Sequence, residues 1–125
     1  MIDDNFSLNK INSIAKKYYG HKHAKEFNES YPIFSTTTGP LWYRGYFKNP
    51  ISQKQIDIIT AHFQVDHIVV GHTLQTKIRS YYKDKILAID LSHKKNLPKE
   101  KLQTLIKINN KFYVLHQSGK KDELF

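Results

Sequence analysis

A histidine that follows a short apolar run is the first residue whose position in the sequence indicates chemistry. Ile68, Val69 and Val70 are consecutive and β-branched, which predicts a strand buried on both faces of a parallel or mixed sheet. Gly71 then allows a sharp turn, so that His72 projects from the carboxyl end of the strand, where open α/β sheets place ligands. A neutral imidazole there can bind a divalent metal ion. The alternative is a loop histidine without a function.

An arginine enclosed by aromatic residues is the second candidate. Residues 41–47 place Arg44 next to Tyr43 and close to Trp42, the single tryptophan of the chain. An arginine held rigidly by such neighbours can direct its planar fork onto two phosphate oxygens. The alternative is an arginine that stacks on an aromatic ring for structural reasons.

The other histidines carry weaker signals. His21 and His23 alternate and could chelate a metal from an extended backbone, but the lysine between them favours a solvated loop. His62 lies near the end of a predicted helix and His67 at the start of the predicted strand. We interpret both as structural.

Composition restricts the classes of function. The chain has 125 residues, enough for one domain with a core, and 39% of them are hydrophobic. No apolar run approaches the length of a membrane span, no export signal is visible, and we expect a cytoplasmic protein without a membrane partner. There are no cysteines. The net charge of +9 attracts polyanions, but the basic residues are scattered and 18 of the 20 are lysines, so we do not expect nucleic-acid binding.

Two helices are predicted in the first half of the chain. The apolar spacing over residues 6–19 indicates an amphipathic helix with Ser7 as its cap and Gly20 as its end. A turn at residues 49–50 precedes a second helix that begins after Ser52 and ends near Gln64. Its core-facing residues are predicted to be Ile56, Ile59, Ala61 and Phe63.

The second half of the chain is predicted to be mostly strands. Residues 77–82 and 85–92 indicate one β-hairpin, and residues 102–108 and 111–116 indicate another around Asn109 and Asn110. Residues 93–100 are expected to form a surface loop, and residues 119–125 a terminal tail. The fold class predicted from this order is α/β or α+β, with a mixed sheet flanked by helices.

Three segments in the same order resemble a known family. They are Gly39-Pro40-Leu41-Trp42-Tyr43-Arg44-Gly45, Gly71-His72-Thr73 and Ile86-Leu87-Ala88-Ile89-Asp90. Together they resemble the carboxy-terminal half of calcineurin-like metallophosphoesterases, bacterial members of the protein-phosphatase type, including the Shewanella-like phosphatases. The resemblance implies one partial domain over residues 1–125, with a helical lead-in and loop at 1–38 and the similar segment at 39–125.

The resemblance also implies a function. Members of that family hydrolyse phosphomonoesters, as serine/threonine protein phosphatases do, with two divalent metals (Mn, Fe, Zn or Mg) held between two β-sheets of a sandwich. His72 matches a histidine that binds one metal, and Arg44 matches an arginine that contacts the substrate phosphate. Leu74 stands where many members carry a further histidine.

Several motifs of that family are absent from these 125 residues. There is no Asp-x-His, no Gly-Asp and no Gly-Asn, so the bridging carboxylate, the asparagine and the acid-base histidine are missing. Four good ligands contribute roughly 10 to 16 kcal/mol of zinc binding, so one imidazole supports a dissociation constant on the order of millimolar. We therefore expect a carboxy-terminal fragment that holds no metal pair tightly, is inactive alone and has a separate amino-terminal half as a possible partner.

Two alternatives of other classes remain open. A basic, non-catalytic module could hold polyanions with Arg44 and the lysines, and its binding would fall steeply with salt. A structural or interaction domain could use the same fold without metal.

Overall fold

A computed structural model of the chain describes residues 6–48 and 51–125. The chain divides into two compact units, one ending at Gln64 and the other running from Val65 to Phe125. The helices are α1 (Leu8–Tyr18), α2 (Tyr31–Phe34), α3 (Gly45–Lys48), α4 (Gln53–Phe63), α5 (His93–Asn96) and a 3-10 helix (Leu97–Lys99). The strands are β1 (Ile68–Val70), β2 (Arg79–Tyr81), β3 (Ile86–Ala88), β4 (Gln103–Ile108), β5 (Lys111–His116) and β6 (Lys121–Glu123).

The mixed α and β composition predicted from the sequence is confirmed, with two three-stranded sheets. That these sheets are half of a metallophosphoesterase sandwich, and that residues 1–125 are one partial domain, stay predictions. The turn predicted at residues 49–50 lies outside the described residues. Within the described residues, none of the helices combines the length and the apolar character that crossing a bilayer requires.

Helix α1 begins at its predicted cap, but its predicted end at Gly20 is wrong: the C-cap is Tyr19, whose backbone is extended, with φ −61° and ψ 125°. The Ser7 hydroxyl accepts a hydrogen bond from the Lys10 amide at 3.2 Å, which pairs one of the amides that a helix start leaves open. Gly20 has a φ of 79°, in the left-handed region that favours glycine. One face of α1 packs into the core of the first unit, whose buried residues are Phe6, Ile14, Ala24, Ile33 and Phe34.

Helix α4 begins with a capping box. The Ser52 hydroxyl accepts from the Gln55 amide, and the Gln55 side chain accepts from the Ser52 amide at 2.8 Å. Gln64 ends the helix in the left-handed conformation, with φ 53°. The inward position predicted for Ala61 is wrong, because Thr60 takes that place. Its hydroxyl is buried but donates to the Ile56 carbonyl at 3.1 Å, which removes the cost of burying it.

Strand β3 is the centre of the first sheet, whose strand order is β1-β3-β2. It pairs parallel with β1 and antiparallel with β2, so the predicted mixed sheet and the first hairpin are confirmed. All three residues of β3 are buried. The prediction that β1 is buried on both faces is wrong, because Val69 is 50% exposed. Within the described sheet β1 is also an edge strand, since it pairs with β3 alone.

The second sheet has the order β4-β5-β6. Its hairpin turns at Asn109 and Asn110, with φ 49° and 65°, as their left-handed preference predicts. The predicted terminal tail is wrong, because residues 121–123 form β6 against β5. Charged partners fix β6: Lys111 Nζ lies 2.8 Å from a Glu123 oxygen, and a hydrogen bond from Lys120, assisted by His116, lowers the pKa of Asp122.

Apolar residues join the two sheets in the second unit. Ile78 and Leu91, which flank β2 and β3, pack with Val114 of β5. The Ile78 amide also donates to the Gln103 side chain of β4 at 2.8 Å. His67 has the structural position expected of it: its Nδ1 lies 2.7 Å from the Asp84 carbonyl oxygen. Residues 93–100, expected as a surface loop, form α5 and the 3-10 helix and are mostly exposed.

The cap of α4 gives a first prediction. Ser52→Ala removes the acceptor of the Gln55 amide and is expected to lower the free energy of unfolding by about 1 kcal/mol. Ser13→Ala is the matched control, because Ser13 is exposed in the middle of α1, where alanine is the better helix former. Urea unfolding followed by the fluorescence of Trp42 measures both variants. Equal effects of the two substitutions would contradict the role of the cap.

Candidate functional site

The segment that carries Arg44 is anchored at Gly39. Gly39 is buried, and its amide donates to the Ser35 carbonyl at 3.0 Å. A side chain at Gly39 would overlap the carbonyl oxygens of Ile33 and Ser35, so only glycine fits there. The Trp42 amide in turn donates to the Gly39 carbonyl at 3.0 Å. The loop before Arg44 is thus fixed on the core of the first unit.

Arg44 immediately precedes α3. Its carbonyl accepts from the amides of Phe47 and Lys48, both at 3.2 Å, so its backbone is part of the helix start. The residue is half-buried, and its Nε is a buried donor without an acceptor among the described residues. An unmet buried donor costs about 1 to 3 kcal/mol. Binding an oxyanion would recover that cost if the guanidinium moved to place Nε on it.

Two aromatic residues that flank Arg44 in the sequence contact each other. Tyr43 and Tyr46 meet edge to face with ring centroids 4.9 Å apart. The Tyr43 ring also lies across Gly45, where any side chain would overlap it. The bracing of Arg44 by aromatic rings and its contact with phosphate both stay predictions.

His72 follows β1 by two residues and is exposed. The expectation that Gly71 makes the sharp turn is wrong: Gly71 does not have a positive φ, whereas His72 has φ 62°. The left-handed conformation costs a residue with a Cβ roughly 1–2 kcal/mol. Backbone strain at a candidate ligand is a reason to ask about function. The metal role of His72 stays a prediction.

Two charged residues that the sequence did not single out, Arg79 and Asp90, lie at the same edge of the sheet as His72. Val70, Ala88 and Arg79 form one row across β1, β3 and β2. Because β1 and β3 are parallel, their carboxyl ends share an edge, and Asp90 follows β3 by two residues as His72 follows β1. The pairing of the strands brings these residues to one edge, and the sequence alone does not show which strands pair.

The described residues do not fit a metal pair by themselves. Residues 6–48 and 51–125 contain no group of three or more histidine, aspartate or glutamate side chains placed to hold a metal ion. The two sequence candidates also belong to different units, Arg44 to the first and His72 to the second. Each can contribute binding, but a complete dinuclear centre needs further ligands.

The chain is similar to solved structures of phosphatases. No protein-family model matches the chain, and neither does any curated protein. The structure of a cold-active protein-tyrosine phosphatase of a psychrophilic Shewanella species is similar, with 30% identity and a TM-score of 0.84. The similarity covers 99% of this chain and 37% of that one. A second structure of a cold-active protein tyrosine phosphatase gives 30% identity, a TM-score of 0.83, and coverage of 98% and 36%.

The chain therefore has a phosphatase-like fold over nearly its whole length. It spans little more than a third of the length of the phosphatases it matches. The similarity thus supports a relationship with phosphatases, while the activity of a whole enzyme is a matter for proposal.

The strained conformation of His72 gives a second prediction. His72→Gly is expected to be more stable than His72→Ala by about 1 kcal/mol, because glycine adopts a positive φ without a penalty. Gly71→Ala is the control: a Cβ there meets open space, and the backbone is not left-handed, so little change is expected. Hydrogen exchange of the β3 amides measures the second unit in each variant. Equal stability of the two His72 variants would contradict the strain.

Proposed function

We propose that this chain is part of a metal-dependent phosphomonoesterase of the calcineurin-like type. The observation that carries the proposal is its similarity, at 30% identity and over 98–99% of its residues, to structures named as protein tyrosine phosphatases. The ordered match of three sequence segments to the metallophosphoesterases supports the metal-dependent type. On this assignment Arg44 binds the substrate phosphate and His72 supplies one metal ligand.

The phosphate role of Arg44 follows from its chemistry. A guanidinium stays charged at every physiological pH and offers donors in a fork that matches two phosphate oxygens. Its half-buried position reduces solvent screening of the charge and limits the side-chain conformations that are lost on binding. A phosphorylated substrate is thus held before any bond is broken.

His72 can provide only a weak metal site alone. The remaining ligands that hydrolysis needs are assigned to polypeptide outside these 125 residues, such as a separate amino-terminal half. We accordingly propose that the chain holds no tight metal pair and has no turnover by itself.

The substrate class is proposed as phosphomonoesters of proteins. The similar structures are named for tyrosine phosphatases, and the sequence resemblance points to the serine/threonine type, so we do not choose between them. Two apolar side chains next to Arg44, those of Leu41 and Trp42, are 49% and 41% exposed. They offer an apolar contact for the group that carries the phosphate.

A second candidate function is a polyanion-binding module without catalysis. The net charge of +9 favours it. It differs in one property: binding would depend on the total number of lysines and fall steeply with salt, rather than on one arginine.

Phosphate binding gives a third prediction. Arg44→Gln is expected to raise the dissociation constant for inorganic phosphate about tenfold, because a charge-assisted hydrogen bond is lost. Lys48→Gln, which removes one exposed charge from α3, is the matched control and should change it less than twofold. Titration at constant ionic strength, followed by NMR, measures both. Equal losses in the two variants would favour the polyanion module.

Metal binding gives a fourth prediction. Mn²⁺ is expected to broaden the NMR signals around His72 with a dissociation constant on the order of millimolar, the value that one imidazole supports. His72→Gln should abolish the broadening, whereas His93→Gln, at another exposed histidine, should leave it unchanged. Under the same conditions we expect no hydrolysis of p-nitrophenyl phosphate. Turnover by the purified chain would overturn the need for further ligands.

A further inference from the structure

The loop between β1 and β2 passes the carboxyl end of β3. It leaves β1 after Val70, and the Gln75 amide donates to the Asp90 carbonyl at 2.8 Å, just beyond β3. The Gln75 side chain donates to the Thr73 carbonyl at 3.1 Å and accepts from the Tyr81 hydroxyl of β2 at 2.9 Å. These bonds tie the loop that carries His72 to the segment after β3 and to the Tyr81 side chain of β2.

Arg79 is the first residue of β2, and its side chain makes one hydrogen bond to this loop. Its Nη2 donates to the Thr76 hydroxyl at 2.9 Å, which fixes one side of the guanidinium. Its Nε is buried and has no acceptor among the described residues. The residue is half-buried in a row with Ala88 and Val70. Because adjacent strands are separated by about 4.8 Å, its backbone lies only ~10 Å from that of β1.

We propose that Arg79 is a second phosphate-binding residue, held by Thr76 at the sheet edge that carries His72. The inference rests on the proposed function and deepens it, because it places a donor for the substrate phosphate in the same unit as the candidate metal ligand. The guanidinium binds a phosphate oxygen with donors that Thr76 leaves open, and Nε gains the acceptor that it lacks in the free protein if the guanidinium turns to place Nε on the anion.

Two other charged residues at this edge are expected to affect phosphate binding in different ways. Lys77 is exposed next to Thr76 and adds a positive charge. Asp90 carries the opposite charge: its carbonyl accepts from the Gln75 amide of the same loop, and its half-buried carboxylate would repel an anion bound at this edge. Replacing that carboxylate by an amide should therefore tighten phosphate binding, which is a direction that loss of structure would not produce.

The small number of arginines in the chain allows a residue-specific NMR test. Arg44 and Arg79 are the two arginines of the sequence, so an ¹⁵N spectrum contains two arginine Nε–H signals. Arg79→Lys identifies one of them by its disappearance. With the metal-free 125-residue chain at constant ionic strength, inorganic phosphate is expected to shift the Arg79 Nε–H signal. Arg79→Gln should raise the dissociation constant read from the backbone amides of residues 71–76 about tenfold.

Three matched variants separate the outcomes. Thr76→Val should weaken phosphate binding at this edge severalfold, Asp90→Asn should tighten it, and Lys77→Gln should change it less than twofold. An Arg79 signal that does not move, while Arg44→Gln still weakens phosphate binding, overturns the assignment of Arg79 and leaves the proposed function intact. Equal losses in Arg79→Gln and Lys77→Gln overturn it as well, in favour of diffuse charge. Phosphate that binds at neither arginine overturns the proposed function itself.

Discussion

The pairing of β3 with β1 is the constraint on which the second unit depends. All three residues of β3 are buried, and the strand bonds to β1 on one side and β2 on the other. Because the pairing with β1 is parallel, both strands end at one edge, where His72 and Asp90 follow them. The antiparallel partner β2 starts at that edge, which brings Arg79 to it. Three unlike ionisable groups thus gather at one edge through backbone hydrogen bonds.

Local features of the fold were predictable because their signals lie within a few residues. The serine caps of α1 and α4, the left-handed Gly20 and the Asn109-Asn110 turn each depend on conformational preferences of short segments. Strand β6 was missed for the opposite reason. Its residues are charged and lack an apolar pattern, and contacts with the distant β5, including Lys111 with Glu123, hold it in place.

In the candidate site, too, some residues are identified by their neighbours in the sequence and others only by strand pairing. Arg44 and His72 stand out because their sequence neighbours are unusual: aromatic residues around one and a β-branched run before the other. The burial of β1 and the place of Arg79 depend on which strands pair, and pairing joins residues far apart in sequence. A run of β-branched residues therefore indicates a strand but not whether it lies at the centre or the edge.

Each of these candidate positions carries an unfavourable local feature. Most other residues with a Cβ and a positive φ lie at helix ends or in hairpin turns, where the geometry of the turn requires that conformation. His72 lies in neither kind of element. The buried side-chain donors without an acceptor among the described residues are Nε of Arg44 and Nε of Arg79.

Folding alone gains nothing from these features, since each costs about 1 to 3 kcal/mol. Ligand binding can gain from them, because an anion supplies acceptors to arginine donors that the protein leaves unpaired. A strained backbone at His72 likewise persists only where the surrounding loop fixes it, as the bonds of Gln75 to Thr73, Tyr81 and Asp90 do. The energetic costs thus fall on the two residues that the sequence suggested, Arg44 and His72, and on Arg79, which only the structure indicates.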